Sequence, residues 1–200
     1  MLHSNLKKIC TLFIAILFVP FFTFAQHTPL GLQVNDNAPT FTSKDQNGKT
    51  INLKNALKQG PVVIVFYRGQ WCPYCNKQLM RLEDSLSLIT GKGATLIAVT
   101  PEKPANISKT IEKTKATYPV LFDDGLKIMK SYDVAFAVDT ATIEKYKKYG
   151  IDFNEANGVN GANLPVPAVY IINQKGVIVF RYFDPDYRKR VTVAEILTYL

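Results

Sequence analysis

The chain has 200 residues, with 24 Lys and Arg against 16 Asp and Glu, for a net charge of +8. That length leaves no room for a second domain with a sizeable core of its own. The lysines that carry the excess (Lys109, Lys113, Lys127, Lys130, Lys145 and Lys147) are scattered over several predicted helices, which excludes a nucleic-acid stripe.

In chain order, Lys7-Lys8, the apolar stretch Ile9 to Phe24 and the small residue Ala25 read as a signal peptide over 1–25, cut after Ala25. The alternative is an uncleaved membrane anchor, against which stand Pro20 and a stretch shorter than the ~20 residues of a spanning helix. Export, to the periplasm, is the expectation. Cys10 leaves with the leader, so residues 26–200 form one domain of net charge about +6 with two cysteines, Cys72 and Cys75.

Strand and helix signals then alternate, which predicts an α/β fold with a mixed sheet flanked by helices. A short strand at Phe41-Thr42-Ser43 leads to an Asn47-Gly48 turn, and Leu53 to Lys58 reads as a short helix closed by Gly60. Val62 to Tyr67 is continuously apolar, as in a central strand covered on both faces. Leu79, Leu82, Leu86 and Ile89, spaced by three and four, predict one helix starting near Cys75 and stopped by Gly91 and Gly93. Thr95 to Thr100 (strand), Ile107 to Ala116 (helix), Val120 to Phe122 (strand) and Leu126 to Tyr132 (helix) follow.

From about 139 to 163 the rhythm breaks. A helix-like Ile143 to Tyr149 precedes a Gly- and Asn-rich loop, and the stretch reads as an insertion with no obvious chemistry, its Gly- and Asn-rich half having little to bury. Ala168 to Ile172 and Val177 to Phe183 predict a hairpin about Asn173 to Gly176, and Val193 to Leu200 a closing helix. Arg188-Lys189-Arg190, a tight basic cluster, reads as a surface turn.

The chemistry concentrates in Gly69 to Cys75, "GQWCPYC", which places two cysteines three apart at a strand-to-helix turn. A metal clip would need further ligands, and the one His beyond the leader, His27, is remote. A purely structural bridge would close a loop of about four residues and remove little chain entropy. A redox pair has a mechanism: Cys72 can face the unpaired N–H groups of the first helical turn, and Pro73 costs nothing at that position. Trp71 could shield one side of the sulfur, and Arg68 is a nearby cation able to stabilise a thiolate or a leaving oxygen.

Together, "VVIVFYRGQWCPYCNKQL", "VTPEKP", "VLFDDGLKIMKSYDV" and "LPVPAVYIINQKGVIVFRY" resemble peroxiredoxin-like members of the alkyl hydroperoxide reductase and thiol-specific antioxidant (AhpC/TSA) family, over roughly Leu32 to Phe183. The resemblance implies a thioredoxin-like fold, no cofactor and no metal, Cys72 as nucleophile, Cys75 as its resolving partner, and a redox-active Cys72–Cys75 disulfide. It also implies that Pro167 is cis and faces the cysteines, with Pro165 as competitor, so that the Val166 backbone can bind an incoming chain. Two departures stand out. Typical peroxiredoxins carry Thr or Ser where this chain has Gly69, and Pro where it has Val65; thioredoxins often carry an acid where it has Phe66.

The function expected from this reading is thiol-dependent reduction of a hydroperoxide, with a thioredoxin-like protein as reductant. Two alternatives remain: thiol-disulfide exchange with protein disulfides, and a non-enzymatic thioredoxin-fold binding module.

Overall fold

The computed structural model describes residues 27–200, so the leader reading for 1–25 falls outside the described residues. A small hairpin of β1 (Thr42–Lys44) and β2 (Thr50–Asn52) leads into α1 (Leu53–Leu57), whose first turn is capped by the Asn52 side chain accepting the Asn55 N–H at 3.0 Å. The turn between the strands places Gly48 at φ +78°, a conformation that favours glycine.

β3 (Val62–Phe66) is buried at every residue. Its even and odd positions serve two cores: Val63 and Val65 join Cys72, Cys75, Leu79 and Leu82, while Val62, Ile64 and Phe66 join Leu53, Met129, Tyr132 and Tyr170. Each such side chain contributes roughly 1.5–3 kcal/mol of apolar burial. This two-sided demand is why the run is apolar throughout rather than alternating.

The apolar stripe after Cys72 forms two helices rather than one, α2 (Pro73–Asp84) and α3 (Leu86–Gly91). Ser85 leaves helical geometry at φ −111°, ψ 11°, and its carbonyl accepts from Leu88 and Ile89, beginning the second helix. β4 (Thr95–Thr100) runs parallel to β3, and α4 (Pro104–Thr114) returns the chain to β5 (Val120–Phe122), parallel to β4. α5 (Lys127–Ser131) follows, its first N–H groups held by the Asp123 carboxylate at 2.8 and 2.9 Å.

The segment 139–163 corrects the sequence reading. It holds α6 (Thr140–Lys148) and α7 (Phe153–Asn157), and it leaves and rejoins the core through a ladder of β6 (Ala135–Ala137) with β7 (Asn163–Pro165). Far from having little to bury, it hides Phe153, Asn157 and Asn160. The Asn160 amide donates to the carbonyls of Pro101 and Asp123 at 2.8 and 2.9 Å and accepts the Gly125 N–H at 2.9 Å. An asparagine can satisfy buried backbone on both sides, so composition that reads as a solvent loop here makes a buried joint.

β8 (Ala168–Ile172) and β9 (Ile178–Phe183) form the expected hairpin, antiparallel to each other and β8 antiparallel to β3, and α8 (Val193–Thr198) closes the chain. The five-stranded mixed sheet has the order β5-β4-β3-β8-β9. Chain leaving the carboxyl ends of the neighbouring parallel strands β3 and β4 therefore meets at one edge of the sheet, where α/β folds place their sites. Among the described residues, no helix is long and apolar enough to cross a membrane.

Candidate active site

Cys72 is the residue before the first turn of α2, in extended backbone (φ −88°, ψ 109°), and Pro73 opens the helix. The Cys72 sulfur accepts the Cys75 N–H at 3.3 Å, the helix-start contact expected of that position. Both cysteines carry free thiols, and both are buried, Cys72 at 1% exposed and Cys75 at 0%. Cys72 lines an open cleft; Cys75 lies beneath it.

The electrostatics run opposite to expectation. The hydrogen bond between the two thiols, then burial, push Cys72 far up. Burial opposes charge on Cys75 as well, but the hydrogen bond from Cys72, the Arg190 guanidinium and the Arg68 backbone N–H outweigh it and hold Cys75 at about 6. Arg190 Nη2 stands 3.4 Å from the Cys75 sulfur. The two thiols titrate as one coupled pair, and the neighbouring Arg190 guanidinium favours negative charge on the inner sulfur. This corrects the reading of Arg188-Lys189-Arg190 as a surface turn: Arg190 is half-buried and part of the cysteine centre.

In front of Cys72 is a cavity of about 570 Å³ whose walls include Arg68, Trp71, Val166 and Pro167, so the structure brings the sequence-predicted residues to one place, with Cys75 behind them. Arg68 is buried at 5% exposed rather than paired at the surface. Its guanidinium lies 4.9, 5.4 and 4.3 Å from the ring centroids of Trp71, Tyr146 and Tyr187, and Nη2 donates to the Tyr146 hydroxyl at 2.7 Å. Its Nε and Nη1 are buried and unpartnered. Tyr146 comes from α6, so the segment 139–163, expected to carry no chemistry, supplies a wall of the cleft.

The proline expectation is corrected too. No peptide bond among the described residues is cis, so Pro167 is trans. Pro165 pairs with Ala135 in the β6–β7 ladder and the Val166 N–H donates to the Val134 carbonyl at 2.8 Å. The chain is thereby held extended from β7 into β8, and the Val166 amide is already engaged within the fold.

Glu102, which follows β4, escaped sequence reasoning. It is fully buried; Oε2 accepts the Gln70 N–H at 2.7 Å, and Oε1 has no partner. Burial, against the Gln70 hydrogen bond, pushes its carboxyl up to about 8. A Cβ on Gly69 would lie 2.7 Å from this carboxyl and 2.6 Å from Trp71 Nε1, itself buried and unpartnered. A Thr or Ser at 69 would therefore require the Glu102 and Trp71 side chains to shift, since they occupy the space beside Gly69. The only sequence signal was an acid directly after a buried strand, in "VTPEKP". Among the described residues, no three His, Cys, Asp or Glu side chains gather as a metal cage.

Comparison with known proteins agrees with this architecture. A family profile described as "AhpC/TSA family" matches residues 34–181. The chloroplastic peroxiredoxin Q of Populus jackii is 28% identical over 151 residues, covering 74% of this chain and 60% of its own length. The chain thus spans about 60% of that relative. The fold is shared with peroxidoxin BcpB of Mycobacterium tuberculosis (TM-score 0.64, 18% identity, 84% of this chain and 96% of that one). It is shared also with a putative protein disulfide isomerase of Bacteroides thetaiotaomicron (TM-score 0.60, 19% identity, 86% and 91%). With the cysteine pair at the start of α2 on this sheet and the family profile spanning it, the chain belongs to the AhpC/TSA family.

Proposed function

We propose that the protein is a thiol-dependent peroxidase that reduces hydroperoxides through Cys72 and Cys75 and is restored by a thioredoxin-like protein. The observation that carries the reading is the placement of the sulfurs: Cys72 faces a cleft while Cys75 lies behind it, 3.4 Å from the Arg190 guanidinium. When a hydroperoxide enters the cleft, the Cys72 proton passes along the existing hydrogen bond to Cys75, and the Cys72 thiolate attacks the terminal oxygen. The O–O bond breaks, the alkoxide leaves with a proton from solvent, and Cys72 becomes a sulfenic acid. Cys75 then attacks that sulfur, its proton departs with the hydroxyl as water, and the disulfide forms. Two electrons from the sulfurs reduce the peroxide. Arg68, which lines the cleft and whose Nε and Nη1 have no partner, is assigned in this proposal to stabilise the leaving oxygen.

The rival, thiol-disulfide exchange with a protein disulfide, is favoured by no site feature over this one; the engaged Val166 N–H bears equally on docking of a protein disulfide and of a protein reductant. The test sets stopped-flow oxidation of the reduced protein by hydrogen peroxide and an organic hydroperoxide beside its rate of reducing a model protein disulfide. Faster reaction with peroxide supports the proposal; faster disulfide reduction supports the rival; inertness to both supports a binding module. We also propose export to the periplasm with cleavage after Ala25, supported by the composition of residues 1–25 and tested by the N-terminal sequence of the protein recovered from that compartment.

A further inference from the structure

Beyond Tyr74, which borders both, lies a second cavity of about 590 Å³, whose lining includes Lys77 and Arg81 from α2, Arg188 and Arg190 from the loop before α8, and a single carboxylate, Asp84. Of the four cations, only Arg188 is ion-paired, with Asp186 at 2.8 Å; no carboxylate of the described residues lies within 4.0 Å of the other three. A concave surface with three unpaired cations attracts anions.

Arg190 connects this groove to the cysteines. Its Nη1 is occupied by the carbonyls of Tyr187 and Lys189. The opposite edge, Nε with Nη2, is the fork that binds a carboxylate or phosphate through two parallel hydrogen bonds. Here Nη2 is taken by the Cys75 sulfur and Nε is buried without a partner. The Cys75 sulfur therefore occupies half of an oxyanion-binding fork.

We propose that this groove is an oxyanion site, for a carboxylate or phosphate group, whose occupancy is coupled to the redox state of Cys75 because the sulfur and the ligand compete for one edge of Arg190. Oxidation by an external disulfide removes the competitor. The Cys72–Cys75 bond forms, two electrons pass to the external disulfide, and its two thiols leave with the Cys72 proton and one from solvent. Arg190 then has no sulfur anion to serve, and the groove binds its ligand more tightly. By reciprocity, ligand on the reduced protein draws Arg190 away and makes the Cys75 thiolate harder to form. The inference requires only that the pair can be oxidised and reduced, whatever the natural oxidant.

The experiment titrates the full chain, reduced and separately oxidised with an excess of a small disulfide, with inorganic phosphate and with succinate at ionic strength held constant by sodium chloride. Binding about tenfold tighter to the oxidised form is expected, and the preferred probe identifies the ligand as phosphate or carboxylate. Thiolate absorbance of the reduced protein should titrate at higher pH when the probe is present. Arg190→Gln should abolish the difference between redox states. Lys77→Gln with Arg81→Gln, both exposed on α2, should weaken binding to both forms alike while leaving thiolate titration without the probe in place. No binding beyond the chloride control, equal affinity in both states, or a redox difference that survives Arg190→Gln overturns the proposal.

Discussion

The two arginines that flank the cysteine pair are both in contact with the centre, yet they face opposite surroundings. Arg68, in front, is buried among three aromatic rings with one hydroxyl partner and no carboxylate. Arg190, behind, reaches a sulfur directly and opens onto a groove of further cations. The front is built to hold a cation without neutralising it, the rear to set the charge of a sulfur. The difference teaches that a cysteine pair can be divided into an outer sulfur that faces a cleft and an inner sulfur beside a cation, with a second cation in front.

The strongest way to break this comparison is to remove the sulfurs one at a time. Cys72→Ser should abolish reaction with peroxide, by about 10³-fold or more, while thiolate absorbance from Cys75, whose titration Arg190 holds low, persists. Cys75→Ser should remove that titration yet still allow one turnover, ending in a sulfenic acid at Cys72 that a dimedone-type reagent traps. If Cys72→Ser loses the thiolate signal instead, the charge resides on the outer sulfur and the division fails.

Next in size is Glu102, beneath the front loop. Its carboxyl is raised from 4.5 to about 8 in the folded protein, so the unfolded chain loses its proton first. The stability this group contributes is full below about 4.5 and is lost as pH rises towards 8. Cys75 works in the opposite sense, since its lowered value adds stability between about 6 and 9 in the reduced protein. Glu102→Gln keeps an acceptor for the Gln70 N–H and removes only the first contribution. Urea unfolding of the reduced proteins should therefore show the stability of the variant gaining on that of the wild type between pH 5 and 8, by a few kcal/mol at about 1.4 per pH unit. Parallel pH curves would mean that Glu102 ionises normally.

The arginines themselves sharpen the contrast. Arg190→Gln should raise the pH at which the Cys75 thiolate forms by about 1 to 2 units, whereas Arg68→Gln should shift it by much less and instead slow the reaction with hydroperoxide. Equal shifts in the two variants would make front and rear electrostatically equivalent. The smallest effect is expected from Tyr146→Phe, which removes the 2.7 Å hydrogen bond to Arg68 but leaves the ring contacts. It should cost about 1 kcal/mol in unfolding and leave thiolate titration unchanged.

Much of the fold and part of the site were legible from local pattern. A six-residue apolar run can hardly be anything but a strand covered on both faces, and a Cys-Pro pair after it marks a helix start. For the same reason Cys72, Cys75 and their immediate neighbours Arg68 and Trp71 could be named. Glu102, Tyr146 and Arg190 could not, because each enters from 30 or more positions away and resembles ordinary surface composition in its own neighbourhood. The cis expectation at Pro167 came from the resemblance and not from the local sequence; the bond is trans, the ordinary state of an X-Pro bond.

By itself, then, the sequence determined which segments become strands and helices and where the reactive pair lies, since periodicity, capping and backbone restriction act within a few residues. Only the tertiary structure decided which sulfur lies at the cleft and which behind it, what crowds Gly69 and which cations attend the centre. Desolvation and Coulomb energy depend on distance through space, and the groups that govern them here meet only when β3, β4, α6 and the loop before α8 are packed around α2.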